Sequence, residues 1–404
     1  MTSRRELREH DGTGEAVAIQ VDDLIFIGAP VAPDPGRIES GDVTAQATRA
    51  LERIGLLVEQ AGGGRGDILD VVSFHADSRE IEPTLEVGRE FFESDFPAWT
   101  PVAATALPLP GQRLSVSAVA RLGDEPKRCI VPDTIAWWRD YPISAGCAKG
   151  DLLFVAGQYG SDADGNVNTP GDHAGQARNA LNRIKEICEL AGGGLDDVVD
   201  LTSFHQDPRW IDAVVEMYES EFFDESAGPV YPAWTTVGTP GLLKHGMLGQ
   251  YRAIAELGAV GAVGEADGGR DRKQTERVGC TPAELGWGSR HVSGAVTKQT
   301  GKLVAVTGVV ASDPSADVIG RGDPSLQART CLDHMALALD GLGASPSDVV
   351  QVSSYHLDHT SMAAGLEVAR EYFGPDSPPA WTAAAMTGFW REGHLHCIQA
   401  LAII

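Results

Sequence analysis

A four-residue motif, Pro-Ala-Trp-Thr, occurs three times in the chain, and this repetition limits the possible folds more than any other feature. The copies begin at Pro97, Pro232 and Pro379, about 130–150 residues apart. Each copy follows a helix-like segment that ends in two aromatic residues, and each precedes a strand-like run that ends in Ala-X-Ala. A period of this length is that of a whole domain and not of a solenoid repeat. We therefore predict that one domain is present three times.

A second landmark is a strand-like run that ends in histidine, upstream of each motif. The histidines are His75, His205 and His356, and each has Ser two residues before it and Asp two residues after it. The order of segments in a copy is strand, strand, helix, strand, helix, strand, which predicts an α+β fold with helices on one face of a sheet. Three such sheets would meet around a pseudo-threefold axis, so that one chain would form what a homotrimer forms.

The joins between the copies predict the domain boundaries. We place the first domain at residues 1–124, the second at 125–258 and the third at 275–404, with a glycine-rich, charged linker at 259–274. The second and third copies share an entry segment that contains Trp138 or Trp287, and the first copy lacks it. The three units are therefore not equivalent.

Composition and charge restrict the possible partners. The formal net charge of −25 argues against a nucleic-acid partner and against an anionic membrane surface, both of which need a Lys/Arg-rich face. No apolar run reaches the ~18 residues that span a bilayer, and the first fifteen residues lack an apolar signal region. We expect a cytoplasmic protein with a small-molecule substrate and no cofactor, present as a monomeric pseudo-trimer or as a homo-oligomer of it. The six cysteines are scattered without a C-x-x-C pair, which favours reduced thiols and argues against a zinc site or a disulfide framework.

These ordered landmarks resemble those of the RidA family, also called YjgF or endoribonuclease L-PSP-like. Residues 150–158 (Gly-Asp-Leu-Leu-Phe-Val-Ala-Gly-Gln) resemble the family's opening G-D-x-x-F-x-S-G-Q, and Gln176, Asp197 and the pair Phe222-Phe223 follow in family order. The resemblance covers nearly all of the chain, three times over. It implies a chorismate-mutase-like α+β domain, a trimer with clefts between neighbours, and hydrolysis of reactive enamines or imines to ketones and ammonia.

The sequence departs from the family at the residue that holds the substrate carboxylate. The family's P-A-R-S carries an arginine there, and this chain carries Trp99, Trp234 and Trp381. An indole offers one neutral N–H donor and cannot pair with a carboxylate in the bidentate manner of a guanidinium. We predict that the three tryptophans form aromatic walls for a neutral or ring-bearing substrate. Core packing is the alternative interpretation.

The second copy supplies the candidate catalytic residues. By the resemblance, the family's Asn on the second helix corresponds to Leu85, Glu216 and Leu366, and its Glu on the last strand corresponds to Ser117, Arg252 and Gln399. We therefore predict Glu216 as general base and Arg252 as the partner of a developing anion, with His205 beside them. A structural ion pair between Glu216 and Arg252 is the alternative. Substrate-binding candidates are Gly157, Gln158, Thr235, His75 and His356.

Two other kinds of site are considered for the histidines. Ser, His and Asp at spacings of two lie side by side on one strand, whereas a catalytic triad needs side chains that converge from different elements. We instead predict a structural histidine bonded to the Asp two residues on, or else a general acid or base. His394 and His396 share a strand face but have no third ligand at a suitable spacing, so no metal is expected.

The predicted function is hydrolysis, of the deaminase type, of a small neutral or aromatic imine, enamine or related C–N substrate at a cleft between domains. Two alternatives remain. One is a non-hydrolytic cyclase or condensing enzyme of secondary metabolism on the same scaffold. The other is a ligand-binding protein without catalysis, because the family's catalytic positions are replaced in every copy.

Overall fold

Each repeat folds into one mixed β-sheet with two helices, which confirms the predicted α+β fold. The computed structural model describes residues 4–7, 18–29, 42–222, 231–258, 277–285, 292–297, 301–374 and 378–404. The predicted linker at 259–274 and the entry residue Trp287 lie outside these ranges. Among the helices within them, none is both long and apolar enough to cross a bilayer.

The first domain contains β1 (Arg4–Leu7), β2 (Ala18–Val21), β3 (Leu24–Ile27), α1 (Val43–Gln60), β4 (Ile68–His75), α2 (Ile81–Phe92), β5 (Ala98–Ala103) and β6 (Leu114–Arg121). The second contains β7 (Arg128–Ile130), β8 (Gly146–Lys149), β9 (Leu152–Gln158), α3 (His173–Leu190), β10 (Val198–His205), α4 (Ile211–Glu221), β11 (Ala233–Gly238) and β12 (Gly249–Glu256). The third contains β13 (Arg277–Cys280), β14 (Gly294–Thr297), β15 (Leu303–Val309), α5 (Pro324–Asp340), β16 (Val349–His356), α6 (His359–Phe373), β17 (Ala380–Ala385), β18 (Gly388–Phe389) and β19 (His396–Ile403).

The three sheets share one topology. Their strand orders are β1-β2-β3-β6-β4-β5, β18-β11-β10-β12-β9-β8-β7 and β13-β14-β15-β19-β16-β17. In each sheet the histidine-ended strand pairs in parallel with the strand of the Pro-Ala-Trp-Thr motif, and in antiparallel with the last long strand of its domain. The short β18 of the third domain adds to the edge of the second sheet, which ties these two domains together.

The first helix of each domain begins and ends by the same local chemistry. Asp42, Asp172 and Asp323 are the N-caps, and each carboxylate accepts the backbone N–H three residues on. A glycine follows each helix end within three residues: Gly62, Gly192 and Gly343 have φ angles of 92°, 94° and 77°, a backbone conformation that suits glycine.

The domains close into a ring through the threonine of each motif. The Thr100 hydroxyl accepts the backbone N–H of Gly157 in the second domain at 3.0 Å, and Thr235 accepts that of Gly308 in the third at 2.8 Å. Thr382 of the third domain completes the ring by accepting the N–H of Ala29 in the first, at 3.3 Å. We call these three contact regions the first, second and third seams. Their cyclic order is that of a homotrimer formed within one chain.

Three aromatic rings mark the axis of this ring of domains. Phe74, Phe204 and Tyr355 occupy equivalent positions, one residue before each strand-end histidine. Their ring centroids lie 6.1–6.2 Å apart in each pair, in edge-to-face geometry. All three side chains are buried. The pseudo-threefold arrangement predicted from the repeats is therefore present in the structure.

Candidate functional site

The interior of the first seam is filled by aromatic and aliphatic side chains. The cavity that remains has a volume of about 10 Å³, which is room for roughly one water molecule. Its lining comes from both domains and from the entry segment that joins them: Trp99, Pro101, Trp137, Trp138, Tyr141, Ile143, Gly157, Tyr159, Leu243 and Gln250. A substrate-sized molecule does not fit in this interior as it stands.

An open pocket of about 410 Å³ lies at the mouth of the same seam and shares two aromatic residues with the interior. We call it the outer pocket. Its lining residues are Glu82, Glu86, Trp137, Asp140, Tyr141, Asp164 and Lys244. Four carboxylates therefore face one ammonium group and two aromatic rings, in a volume that suits a small molecule.

The groups of the outer pocket are held by one contact within the second domain and by two contacts that cross the seam. The Lys244 ammonium lies 3.9 Å from the centroid of the Trp137 ring, as a cation–π contact. The Tyr141 hydroxyl donates to Glu82 at 3.4 Å, and burial together with the Glu82 charge raises the pKa of Tyr141. On the other side of Tyr141, Arg89 of α2 donates to the backbone oxygen of Asp140 at 2.7 Å. The first domain thus fixes one wall of the pocket and the entry segment fixes the other.

The second seam uses the equivalent groups differently. Asp212 is the second residue of α4, and Glu82 is the second residue of α2. Asp212 accepts hydrogen bonds from the Trp390 indole N–H at 2.7 Å and from the Arg391 guanidinium at 3.0 Å. Arg391 corresponds to Lys244, since each stands two residues before a glycine with positive φ, Gly393 or Gly246. At the second seam the Asp212 carboxylate and the Arg391 guanidinium are therefore bonded to each other. At the first seam Lys244 lies over an aromatic ring, and Lys244 and Glu82 both line an open pocket.

The three motif tryptophans lie mostly inside their own domains. Trp99 is fully buried, and Trp234 and Trp381 are half-buried. In each domain the indole N–H donates to the serine two residues before the strand-end histidine, at 2.8–3.0 Å. Trp99 also packs so closely on α2 that a Cβ at Gly88 would lie 2.2 Å from its ring. The core-packing interpretation therefore describes most of their contacts, and Trp99 also lines the interior cavity.

The strand-end histidines bond to serine and not to aspartate. His75, His205 and His356 accept or share a hydrogen bond with the Oγ of that same serine at 2.8–2.9 Å. The prediction of a histidine bonded to the following aspartate is wrong, because those carboxylates cap the next helical turn: Asp77, Asp207 and Asp358 accept the backbone N–H of Arg79, Arg209 and Ser361. The aspartate is a local N-cap.

Burial keeps these imidazoles neutral. It lowers the pKa of His75 and of His205 to about 3, so neither changes charge near neutral pH. In the third domain His356 Nδ1 lies 2.8 Å from His396 Nδ1, and His396 Nε2 donates to the Pro324 oxygen. Since His396 carries its proton on Nε2, His356 is the donor in that pair. His394 instead bonds Ser312 and the Arg391 oxygen. Among the described residues, no three or more His, Cys, Asp or Glu side chains are placed so that they could hold a metal ion.

The predicted catalytic pair is not brought together by any contact in the described residues. Arg252 is buried and pairs with Asp70 of the first domain, with Nη2 and Oδ2 at 2.6 Å, whereas Glu216 is exposed on α4. Glu216 is also not particular to the second copy: Glu86, Glu216 and Glu367 each stand eleven residues after the strand-end histidine. Leu85 corresponds to Val215, so the predicted correspondence was one residue out in the second copy.

Of the three remaining predicted binding groups, two form hydrogen bonds at the seams and one bonds within its own domain. The Gly157 N–H and the Thr235 hydroxyl take part in the ring of hydrogen bonds described above. The Gln158 amide donates to the Ala156 oxygen at 2.7 Å, inside its own strand. The outer pocket was missed from the sequence because its residues come from four separate segments. The repeated glutamate at Glu86, Glu216 and Glu367 was the available signal.

Comparison with known proteins places the chain in a family. The model of the family described as endoribonuclease L-PSP matches residues 15–122, 140–256 and 289–404. The RutC family protein YjgH of Escherichia coli is 38% identical over 101 residues, which is 25% of this chain and 73% of that protein. A human protein named 2-iminobutanoate/2-iminopropanoate deaminase is 32% identical over 108 residues, 26% of this chain and 78% of its own length.

Solved structures match single domains or the whole chain. The structure of protein YJGH, 33% identical, covers 32% of this chain and 94% of its own, with a TM-score of 0.28. A chorismatase structure covers 94% of this chain and 97% of its own with a TM-score of 0.53, and at 11% identity it shows a shared fold alone. The three family matches together span most of the chain. The chain therefore belongs to the endoribonuclease L-PSP family, also called the RidA family, and carries three tandem domains of it.

Proposed function

We propose that this protein is a deaminase-type hydrolase that acts on a small imine or enamine without a carboxylate, and that the substrate binds in the outer pocket of the first seam. The relatives named as iminobutanoate and iminopropanoate deaminases support the reaction type. The observation that carries the proposal for this chain is the composition of the outer pocket, four carboxylates against one ammonium.

The charge of the pocket favours a cation over an anion. A substrate carboxylate would meet Glu82, Asp140 and Asp164, and also Glu86, whose charge is partly compensated by the Arg89 guanidinium at 3.1 Å. Lys244 is the one cation among the lining residues. Like charges within a few ångströms repel, and they do so more strongly in a pocket than in bulk water. A protonated imine has the opposite charge and is stabilised by the same carboxylates. The Lys244 ammonium already lies over the Trp137 ring, so an aromatic face in this pocket does hold a cationic group.

The chemistry needs a base for water and a donor for the departing nitrogen. Glu82 and Glu86 are four residues apart on α2 and so lie one helical turn apart on the same face. We assign Glu86 as the group that takes a proton from the attacking water, and Tyr141 with Glu82 as the pair that positions the C=N group. Water adds to the carbon of the C=N bond and Glu86 passes the proton that it has taken to the nitrogen. The C–N bond then breaks as the new hydroxyl group loses its proton, which gives a carbonyl compound and ammonia.

The proposal is tested by ammonia release from an aldimine that an amine oxidase makes from phenethylamine in the same vessel, with catalase present to remove peroxide. Glu86→Gln is expected to lower the rate by 10²-fold or more, the usual contribution of a general base. Glu367→Gln changes the same position in the third domain and is the matched control, expected to keep the wild-type rate. A loss confined to Glu216→Gln would move the site to Glu216 of the second copy, the general base predicted from the sequence. Wild-type rates in all three variants would contradict catalysis by this glutamate.

A ligand-binding role without catalysis is the second candidate, and a specific observation favours it. Two positions that serve the reaction in the family are occupied in this chain by Trp99, which is fully buried, and by Arg252, which is paired with Asp70. Tight binding of a cationic aromatic ligand without ammonia release would support this candidate over the first. Loss of substrate without ammonia would instead support the cyclising alternative.

A further inference from the structure

Two cysteines face each other across the β7–β8 strand pair at the edge of the second sheet. Cys129 and Cys147 are direct partners in the antiparallel register, and their Sγ atoms lie 3.9 Å apart. Opposed residues in such a pair have Cα atoms about 4.5 or 5.5 Å apart, and both values fall within the range that a disulfide spans. Forming the bond requires the sulfurs to move from 3.9 Å to about 2.0 Å apart, while the strand register already matches.

We propose that Cys129 and Cys147 form a reversible, peroxide-driven disulfide that locks the entry segment over the first seam. The proposal does not depend on the catalytic assignment above, because it rests on the thiol pair and on the segment between the thiols. The sequence predicted reduced, unpaired cysteines from their scattered spacing. The pairing arises from strand register, which brings two residues eighteen positions apart into contact.

The two thiols have different environments, which suit them to different steps. Cys129 is exposed and Cys147 is buried. The hydrogen bond from Cys147 and the nearby Lys127 ammonium lower the pKa of Cys129 to about 6, and burial raises the pKa of Cys147. A thiolate that solvent can reach is the form that peroxides oxidise, so Cys129 is the attacking group and Cys147 the resolving one.

The two steps balance with one hydrogen peroxide molecule. The Cys129 thiolate attacks a peroxide oxygen, the O–O bond breaks, and the hydroxide released takes a proton to become water, which leaves Cys129 as a sulfenic acid. The Cys147 sulfur then attacks the Cys129 sulfur, the S–O bond breaks, and the hydroxide leaves as water with the Cys147 proton. The thiols lose two electrons in total and the peroxide is reduced to two waters.

The segment between the thiols is the one that fills the first seam. Residues 130–146 include Trp137, Trp138, Tyr141 and Ile143, all of which line the interior cavity. In the reduced protein the sulfurs of Cys129 and Cys147 also lie 3.5 and 3.3 Å from the Phe96 oxygen, one residue before the first Pro-Ala-Trp-Thr motif, and this oxygen accepts an S–H from whichever thiol carries its proton. A disulfide would tie the two ends of the segment together and leave no S–H to donate to this oxygen. Oxidation would therefore restrict the motion of the segment relative to the seam.

The third domain supplies a natural control. Cys280 lies on β13, the equivalent of β7, but its register partner on β14 is Gly294. The Cys280 side chain packs against Gly341, and burial raises its pKa. Cys280 therefore has a thiol in a similar element without a partner thiol opposite it.

The test is peptide mapping of the intact protein after hydrogen peroxide treatment at pH 7. Trypsin cleaves after Arg128, Arg139 and Lys149, so the disulfide would appear as peptides 129–139 and 140–149 joined and two hydrogens lighter, and dithiothreitol would separate them. We expect this species to form at least about tenfold faster than any oxidation of Cys280, given the thiolate fractions of the two groups. With Cys147→Ala, Cys129 is expected to be trapped as a sulfenic acid by dimedone.

A second measurement addresses the segment itself. Hydrogen exchange of residues 133–145 is expected to slow in the oxidised protein and to return to its original rate after reduction. The absence of the joined peptide in wild-type protein, or oxidation of Cys129 no faster than that of Cys280, would overturn the proposal. Formation of the disulfide with unchanged exchange in residues 133–145 would overturn the locking of the segment.

Discussion

Replacing Arg252 by methionine removes the guanidinium that pairs with the buried carboxylate of Asp70, across the first seam. The two side chains are only 10% and 5% exposed, and their N–O distance is 2.6 Å. The other carboxylate oxygen of Asp70 has no hydrogen-bond partner among the described residues. Most of the compensation for burying this charge therefore comes from Arg252.

The expected cost follows from that geometry. Removing one partner of a buried ion pair leaves an uncompensated charge, which lowers the free energy of unfolding by about 3–5 kcal/mol. Burial already raises the pKa of Asp70, and Arg252 opposes this rise. Without Arg252 the pKa of Asp70 rises further. A carboxyl with a raised pKa in the folded state costs stability as pH increases from its unfolded-state pKa up to its folded-state pKa. The cost of Arg252→Met is therefore larger at pH 8 than at pH 5.

The assay is urea unfolding followed by circular dichroism at pH 5 and pH 8, with Asp70→Asn/Arg252→Met as the matched control. Because the double variant buries no unpaired charge, it is expected to recover about 2 kcal/mol or more of the loss. A cost below about 1 kcal/mol for Arg252→Met at pH 8, or a double variant no more stable than the single one, would refute the assignment of this pair as a seam-holding contact.

Three further predictions concern the seams and the core. Thr100→Val leaves the buried Gly157 N–H without an acceptor, and urea unfolding should show a loss of about 1–3 kcal/mol. Burial raises the pKa of Asp200 to about 6. This carboxyl therefore lowers the free energy of unfolding of the wild type by about 3 kcal/mol as pH rises from 4 to 7. Asp200→Asn should remove this contribution to the pH dependence of the free energy of unfolding, measured at several pH values. Trp99→Arg restores the residue of the family at a fully buried position, and we expect a loss of about 3–5 kcal/mol in thermal unfolding with no gain in binding of a 2-keto acid measured by calorimetry.

The fold was predictable because the same order of strand and helix patterns occurs three times in the sequence. Strands that end at His75, His205 and His356, and helices that end at glycine, are local patterns, and local patterns indicate elements reliably when three copies agree. The family resemblance added the trimeric arrangement. The ring of Thr-to-backbone hydrogen bonds follows from placing the same motif at each seam.

The site was less predictable because its geometry is not local. Glu86 and Lys244 are far apart in sequence and meet only where two domains face each other, with the entry segment between them. The aspartates after the histidines looked like partners of the imidazoles, but a carboxylate two residues along is closer to the backbone of the next turn. Arg252 was predicted to bind an anion of the reaction. Its guanidinium instead pairs with Asp70 of another domain, a contact that no spacing in the sequence reveals.

The most direct test of the account compares two substrates that differ only by a carboxylate. Imines are made in the assay from phenethylamine by an amine oxidase and from phenylalanine by an amino-acid oxidase, and ammonia release is followed with and without this protein. A pocket with four carboxylates and Trp99 in place of the family's arginine predicts acceleration for the phenethylamine-derived imine and little or none for the phenylalanine-derived one. Equal or greater acceleration of the carboxylate-bearing imine would contradict the account.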